Sequence, residues 1–456
     1  MDDLARQRLM PVLYAGVFLG ALDTSVIGPA IPALKTVFGV DNRQVGLVTL
    51  VFILCSLPAT AVLSSLGDRW GRRTVFVLSV LTFALGSLLV ALASSFWMLL
   101  LGRAVQGVGS GGIIPTASAT IGDVLPHQAQ GRALGLVGAV YGMAFVIGPP
   151  LAAGMLLLAD WRWIFLINLP LALAVAYFGL RRLPARLPDH PPGGALDSVG
   201  IALVVGLLAS LALGINRVLD DWLGLLIWPW LLATVPLWVL ALVRHERGQQ
   251  HPVVPLQLFA SKRLVLAYLL TVGGGLGMGG VAFLTSLTTL AYGLTPAQAG
   301  LALLPLVLGS MVGSMGAGRS LNRQGPRRLI ALGFSLLSMG SVGVLWTVSG
   351  WLGFVLASIP LGLGLGVIVG GALRSIALAE AAPTARGAAQ GLINIATAVG
   401  TLSATACISA WADLGGGELQ GFLSAYLGLA IILCCMLWIA LTLPGDRCHP
   451  SGTSAA

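Results

Sequence analysis

The sequence predicts an all-α membrane protein: two six-helix bundles with two further helices inserted between them, fourteen transmembrane helices in all. Three observations lead there. Of the 456 residues, 57% are hydrophobic and only 9% are charged, against about 25% charged in a soluble domain. Apolar runs of about 20 residues, the length that crosses a bilayer, recur from end to end. The chain also repeats itself, for Gly107, Gly109, Asp123 and Pro126 return 257 residues later as Gly364, Gly366, Glu380 and Pro383. A secreted disulfide scaffold, a disordered chain and a conventional soluble enzyme are excluded by the same composition.

Hydropathy places the first six spans near 10–32, 44–66, 74–95, 98–121, 133–157 and 162–180. The first is too long, and too polar at Asp23, for a cleaved signal peptide. Two more lie near 198–214 and 223–243, and six follow near 265–290, 296–317, 329–347, 351–373, 387–410 and 420–443. The expected organisation is a bundle over 1–181, a linker with two extra helices over 182–264, a second bundle over 265–443 and a tail over 444–456. Two repeated segments in the same order argue for duplicated parallel halves.

Lysine and arginine set the orientation. With a cytoplasmic N-terminus, twenty of the 25 fall on inner segments, Arg374 and Arg386 among them, and four fall outside. Both termini are therefore expected in the cytoplasm of a cell-membrane protein, and the net charge of +9 needs no nucleic acid to explain it. Cys55, Cys407, Cys434 and Cys435 sit in apolar runs without metal-ligand spacing. The five histidines are expected in loops or the tail, so no imidazole relay crosses the membrane. Lysine occurs only at 35 and 262, neither in a Walker A context, which excludes an ATP-driven pump within this chain. No cofactor or metal is expected.

Several ordered motifs carry a family resemblance. They are Leu22-Asp-Thr-Ser-Val-Ile-Gly-Pro-Ala-Ile-Pro32, Gly67-Asp-Arg-Trp-Gly-Arg-Arg73 and Arg103-Ala-Val-Gln-Gly-Val-Gly109. Further on come Ala144-x-x-x-Gly148-Pro149 and Trp161-Arg-Trp-Ile-Phe-Leu-Ile-Asn-Leu-Pro170. Together they resemble the major facilitator superfamily and, within it, the fourteen-span drug:proton antiporters. Ser64 stands where a glycine usually opens the loop motif, and the second loop copy, Asn322 to Arg328, has Asn322 in place of the acid. The resemblance implies a major facilitator fold working as a monomer on protons and a small amphipathic substrate. A proton gradient would supply the energy.

Asp23 is the one acid placed deep inside a predicted span, about 13 Å from its outer end at about 1.5 Å per residue. An intramembrane carboxylate is costly unless paired, hydrated or protonated, so Asp23 reads as a proton-coupling residue; a packing or capping role is the alternative. Arg103, about 7 Å deep by the same rise, is within reach of it, and the resemblance links this arginine to coupling. By resemblance, Asp68, Arg72 and Asp123 form a latch between the halves, with Asp68 facing the N-terminal end of the helix that starts near Gly387. Gly148 and Pro149 predict a helix kink, in competition with plain glycine packing. Gln106, Tyr141 and Asn394 are the polar candidates for a substrate cavity, with Gln390 beside the last of these.

Two dinucleotide-like patterns, Gly107-x-Gly109-x-x-Gly112 and Gly275-x-Gly277-x-x-Gly280, lie inside apolar runs and read as helix packing. Tryptophans 161, 163, 222, 346, 351 and 411 read as interfacial anchors. The function expected is proton-coupled export of amphipathic compounds. A uniporter or importer, or a lipid or lysolipid translocase, on the same fold is the alternative.

Overall fold

The structure, a computed structural model, describes residues 3–40, 42–158, 160–184, 197–216, 226–249, 252–294, 296–382, 385–414 and 419–444. The expected tail beyond 444, Trp222 and the first residues of the span near 223–243 lie outside the described residues. Every described regular element is helical. The first group is α1 (Asp3–Phe38), α2 (Asn42–Trp70), α3 (Arg72–Ala91), α4 (Phe96–Val124), α5 (His127–Leu158), α6 (Arg162–Leu166) and α7 (Asn168–Arg182). Next come α8 (Ser198–Asn216) and α9 (Trp228–Glu246). The last group is α10 (Lys262–Tyr292), α11 (Pro296–Ala302), α12 (Leu304–Gly343), α13 (Trp351–Val367), α14 (Leu373–Glu380), α15 (Arg386–Leu414) and α16 (Leu419–Leu441).

Ten described segments are long and apolar enough to cross a membrane. The helices α4, α5 and α9 and the first part of α12 are not among them, although each covers a predicted span. In α4 the apolar run is diluted by Arg103, Gln106, Asp123 and six glycines.

The repeat is visible in the backbone. The turn between α2 and α3 is made at Gly71 (φ 94°), and α12 breaks at Gly325 (φ 75°), both in the left-handed region that suits glycine. Matching these two glycines pairs Asp68 with Asn322 and Arg73 with Arg327. Their contacts agree: Arg73 Nη1 donates to the carbonyl of Leu180 at 3.5 Å, and Arg327 Nη2 donates to that of Leu441. Each arginine ties the third helix of its group to the last.

Glycines bring the helices close. A Cβ on Gly109 would lie 2.3 Å from the Phe83 nitrogen, and one on Gly275 would lie 2.1 Å from the Thr397 carbonyl oxygen. Both dinucleotide-like patterns are therefore helix crossings. Between the two groups, Gly131, Gly135 and Gly138 of α5 meet Leu321, Gly318 and Ser314 of α12, and Ser314 donates to the Gly135 carbonyl at 2.7 Å. Hydrogen bonds join the two groups toward one end of the bundle, the arginine-rich end. They involve Asp68, Ser118, Gly122, Asp123 and Gly135 on the first group.

Three sequence expectations change here. Trp161 is buried, packed edge-on against Phe38 and Phe165, whereas Trp163, Trp346, Trp351 and Trp411 are exposed. Arg374 lies inside α14 rather than on an inner segment outside the helices, because the predicted span ended one residue short of it. His245 belongs to the last turn of α9 and His127 opens α5, rather than both lying in loops.

Helices α8 and α9 pack on each other, and α8 leans on α2 and α15 through Val204, Leu208, Leu57, Ala61 and Leu402. At their arginine-rich end His245 Nε2 lies 2.7 Å from Asp197 Oδ1, which also accepts from the Gly200 nitrogen. Glu246, three residues past the predicted span, accepts from the Val254 nitrogen at 3.1 Å, while its Oε2 is buried without a hydrogen-bond partner among the described residues. Burial pushes the Glu246 carboxyl above the usual glutamate range, and the neighbouring Asp197 carboxylate pushes it the same way. The folded chain thus holds this proton more tightly than the unfolded chain. Stability from Glu246 is present below the ordinary glutamate value, about 4.3, and is lost as pH climbs through the raised folded one. Glu246→Gln should therefore flatten the fall in melting temperature between pH 5 and 8 in detergent, and a wild-type slope in the variant would contradict this.

Candidate functional site

Among the described residues, two charged clusters and a buried arginine held by neutral side chains lie inside the helices. The first cluster is built on α1, α3, α4 and α7. Asp23, Arg103, Gln106 and Asn168 are all at most 1% exposed. Arg103 Nη1 donates to Asp23 Oδ2 at 2.7 Å and to Gln106 Oε1 at 2.8 Å, and its Nε donates to the Val48 carbonyl at 3.1 Å. Its guanidinium carbon lies 4.3 Å from the centre of the Phe52 ring. Gln106 Nε2 donates to Asp23 Oδ1 at 3.0 Å and to Ser87 Oγ at 2.8 Å, and Asn168 Nδ2 reaches Asp23 Oδ1 at 3.3 Å.

Local sequence explains the placement. Arg103 and Gln106 are three residues apart, hence on one face of α4. Gly86 and Gly102 let α3 and α4 close on that face; a Cβ on Gly86 would fall 2.3 Å from the Gln106 nitrogen. The structure puts Arg103 against Asp23, and it seats Gln106 inside their cluster instead of on open space. Asn168, which opens α7, carries no charge to distinguish it in sequence, so its part in the cluster was not foreseen.

Chemically, the cluster is a buried ion pair with every close partner a neutral donor or acceptor. Removing one member of a buried pair costs about 3–5 kcal/mol, because the other is left as an uncompensated charge. A proton on Asp23 has the same consequence, since it cancels the charge that holds Arg103. The guanidinium would keep Gln106 Oε1 and the Val48 carbonyl and be free to swing from α1.

The second cluster sits at the arginine-rich end and joins the two groups. Asp68 accepts from the backbone nitrogens of Gly387 (3.0 Å) and Ala388 (3.1 Å) at the start of α15, where a helix N-terminus favours a carboxylate. Arg72 bridges Asp68 (2.5 Å) and Asp123 (2.9 Å), and Arg386 reaches Asp123 (3.0 Å) and the Gly122 carbonyl. Arg386 was expected only as an orienting charge. Gly387 has no room for a side chain, since a Cβ there would lie 2.4 Å from Arg72 Nη1. The second-half copy does not form: Arg327 goes to Leu441, and Glu380 pairs with Arg263 at 3.3 Å and Ser261 at 3.0 Å.

Tyr141 and Asn394, the remaining cavity candidates, meet at neither cluster. Asn394 Oδ1 accepts from Arg374 Nη2 at 2.6 Å, and Tyr141, half-buried on α5, stands within electrostatic range of the same arginine. Gly148 packs against α1 two residues past Asp23: a Cβ there would lie 1.9 Å from Ser25 Oγ, which donates to the Ala144 carbonyl at 3.0 Å. Helix α5 runs as one element through this point, and the Pro149 side chain lies outside the described residues.

Comparison with known proteins agrees with the fold. A family profile described as the Major Facilitator Superfamily matches residues 13–405. The uncharacterized MFS-type transporter YfiU of Bacillus subtilis is 32% identical over 90% of this chain and 81% of its own. The multidrug transporter protein MdtP of the same organism is 27% identical over 74% of this chain, which spans less than two thirds (62%) of MdtP. Among solved structures, the human organic anion transporter MFSD10 superposes with a TM-score of 0.73 at 18% identity, over 96% of this chain and 100% of its own. The proton:xylose symporter XylE does so with 0.71 at 14%, over 98% of this chain and 97% of its own. These last two are likenesses of fold alone.

The second cluster yields a direct test. Arg132 and Arg319 are exposed on α5 and α12 at the arginine-rich end, and spin labels there report the separation of the two groups. Asp68→Asn or Gly387→Ala should lengthen that distance, the former by removing an interaction of about 3–5 kcal/mol. An unchanged distribution in both variants would show that the cluster does not hold the groups together.

Proposed function

Since the chain belongs to the Major Facilitator Superfamily, we propose that it is a proton-coupled antiporter that exports amphipathic small molecules by alternating access. It is a multi-pass membrane transporter of small molecules and not an enzyme. The finer reading rests on one observation, the fully buried Asp23–Arg103 pair with Gln106 and Asn168 around it. The likeness to MdtP supports drug-type substrates.

The excess of positive charge at the arginine-rich end supports reading that end, with both termini, as the cytoplasmic side of a cell membrane. The Asp68–Arg72–Asp123–Arg386 latch then closes the inner side. In the cycle, substrate leaves outward and a proton from outside binds Asp23. Arg103 is released from α1, the Asp23 cluster relaxes, and the halves rock open at the latch. Substrate loading from the cytoplasm restores the pair and sends the proton inward. The protein works as a monomer, with the proton gradient as its energy source.

Transport of an amphipathic compound panel into inside-out vesicles tests this. Wild type should accumulate substrate only with an imposed pH gradient. Asp23→Asn keeps size and hydrogen bonding but cannot cycle a charge, so it should lose at least tenfold of uphill transport while still inserting. Asp23→Glu should keep part of it with a shifted pH optimum. Uphill accumulation at wild-type rates in Asp23→Asn would overturn the assignment, and transport indifferent to the gradient would point to a uniporter.

A further inference from the structure

Three arginines are buried among the described residues: Arg72, Arg103 and Arg374. The first two have carboxylate partners. Arg374 has none among the described residues. Its Nη1 donates to Ser118 Oγ at 3.5 Å and Gln390 Oε1 at 3.3 Å, its Nη2 donates to Asn394 Oδ1 at 2.6 Å, and Gln390 Nε2 returns a bond to the Arg374 carbonyl at 3.0 Å. Every acceptor is neutral, yet the side chain is only 8% exposed. A buried cation without a counter-charge is expensive, and a fold that only needed a tether between α4 and α15 has cheaper neutral side chains for it.

The backbone is arranged to put it there. Helix α13 gives way to a π turn over Ile368–Ala372 before α14 resumes at Leu373, and Gly371 in that turn has φ 157°. Such turns rotate the following face of a helix and recur at functional sites. Gly370 and Gly371 also admit α5 and α12: a Cβ on Gly370 would lie 2.3 Å from Ser314 Oγ, and one on Gly371 would lie 3.1 Å from Leu134 Cβ. Beside Arg374 is a cavity of about 10 Å³, bounded by Thr271 and Gly274 of α10, Ile393 and Thr397 of α15, and Leu373. That is room for about one water. Its walls are all on the second half, whereas Ser118 and Tyr141 approach Arg374 from the first half. Rocking the halves apart at the latch end would withdraw those two and widen the space in front of the guanidinium.

We propose that Arg374 is a substrate-anion site: it binds the carboxylate of an amphipathic organic acid when the halves open at the latch end. The guanidinium supplies a planar fork for the carboxylate, and Thr271 and Thr397 line the cavity beside it. The apolar body of the substrate would lie against Ile393, Leu373 and Ile368. This deepens the export reading above by naming its substrate class, and it rests on that reading for the direction of transport.

Binding by purified protein without any gradient tests it, using 11-(dansylamino)undecanoate and its methyl ester, which share one body and differ in the charge. Wild type should bind the carboxylate at least tenfold more tightly than the ester. Arg374→Gln should bring the two to equal affinity. Asn394→Asp places a carboxylate beside the guanidinium, so it should raise the melting temperature and weaken the undecanoate at least tenfold, with the ester unchanged. This second variant keeps the test open if Arg374→Gln fails to fold. Equal affinity of wild type for both probes, or undiminished preference for the carboxylate in Asn394→Asp, would overturn the proposal. If the ester is exported uphill as well as the acid, the anion site falls and antiport stands. If the acid binds selectively but no gradient drives it, antiport falls and the anion site stands.

Discussion

A charge inside an apolar helix bundle has to be matched, and the placement of the buried polar groups in this protein follows from that constraint. Asp23 and Arg103 neutralise each other within the first group of helices. Asp68, Arg72, Asp123 and Arg386 do so across both groups, at the end where the helices come closest. Arg374 is held by neutral oxygens alone. One helix touches all three places. Helix α4 contributes Arg103 and Gln106 to the first, Asp123 to the second and Ser118 to the third. Twenty residues separate Arg103 from Asp123, about 30 Å along the axis at about 1.5 Å per residue. A rigid α4 that shifts when Arg103 loses its partner would carry that shift to the latch.

The contacts between the groups suit such a motion. Within a group, large side chains interlock, as Phe76, Phe83 and Ile113 do in the first and Phe334, Phe354 and Tyr426 in the second. Between the groups small residues and polar groups carry much of the contact, as Gly135 against Gly318, Ser314 to the Gly135 carbonyl, and Asp68 to two backbone nitrogens, with Leu321 and Leu378 as larger side chains seated on glycines. Dry apolar cores resist separation, whereas glycine contacts and hydrogen bonds can exchange their partners for water, so under the proposed cycle the seam is where the bundles would part.

Much of this was legible in the sequence because charge inside an apolar run is conspicuous. Asp23 and Arg103 stand out on that ground, and Asp68, Arg72 and Asp123 through motif resemblance. Neutral partners do not stand out. Gln106 looked like a cavity residue, and Asn168 drew no notice, because nothing in a one-dimensional pattern says which helix lies opposite an amide. Arg374 was missed for a different reason. Hydropathy ended its span at 373, while the internal repeat carried the signal that it should run on. Glu380 is the counterpart of Asp123, which lies next to the end of α4, so a residue six positions before Glu380 belongs inside the helix. Trp161 was read as interfacial from its position near a helix end, but its aromatic neighbours Phe38 and Phe165 enclose it. The asymmetry of the latch was half legible: Asn322 announced a missing acid, but the one-residue register set by Gly71 and Gly325 appears only in the backbone.

The central claim is that one buried carboxylate exchanges a proton against substrate. Its most direct measurement is substrate-induced proton release from purified protein in weakly buffered detergent solution, followed across pH for wild type and Asp23→Asn. The account predicts release from wild type, centred on a single ionisation, and none from the amide variant although it still binds substrate. Equal release from both proteins would contradict it and move the coupling away from Asp23.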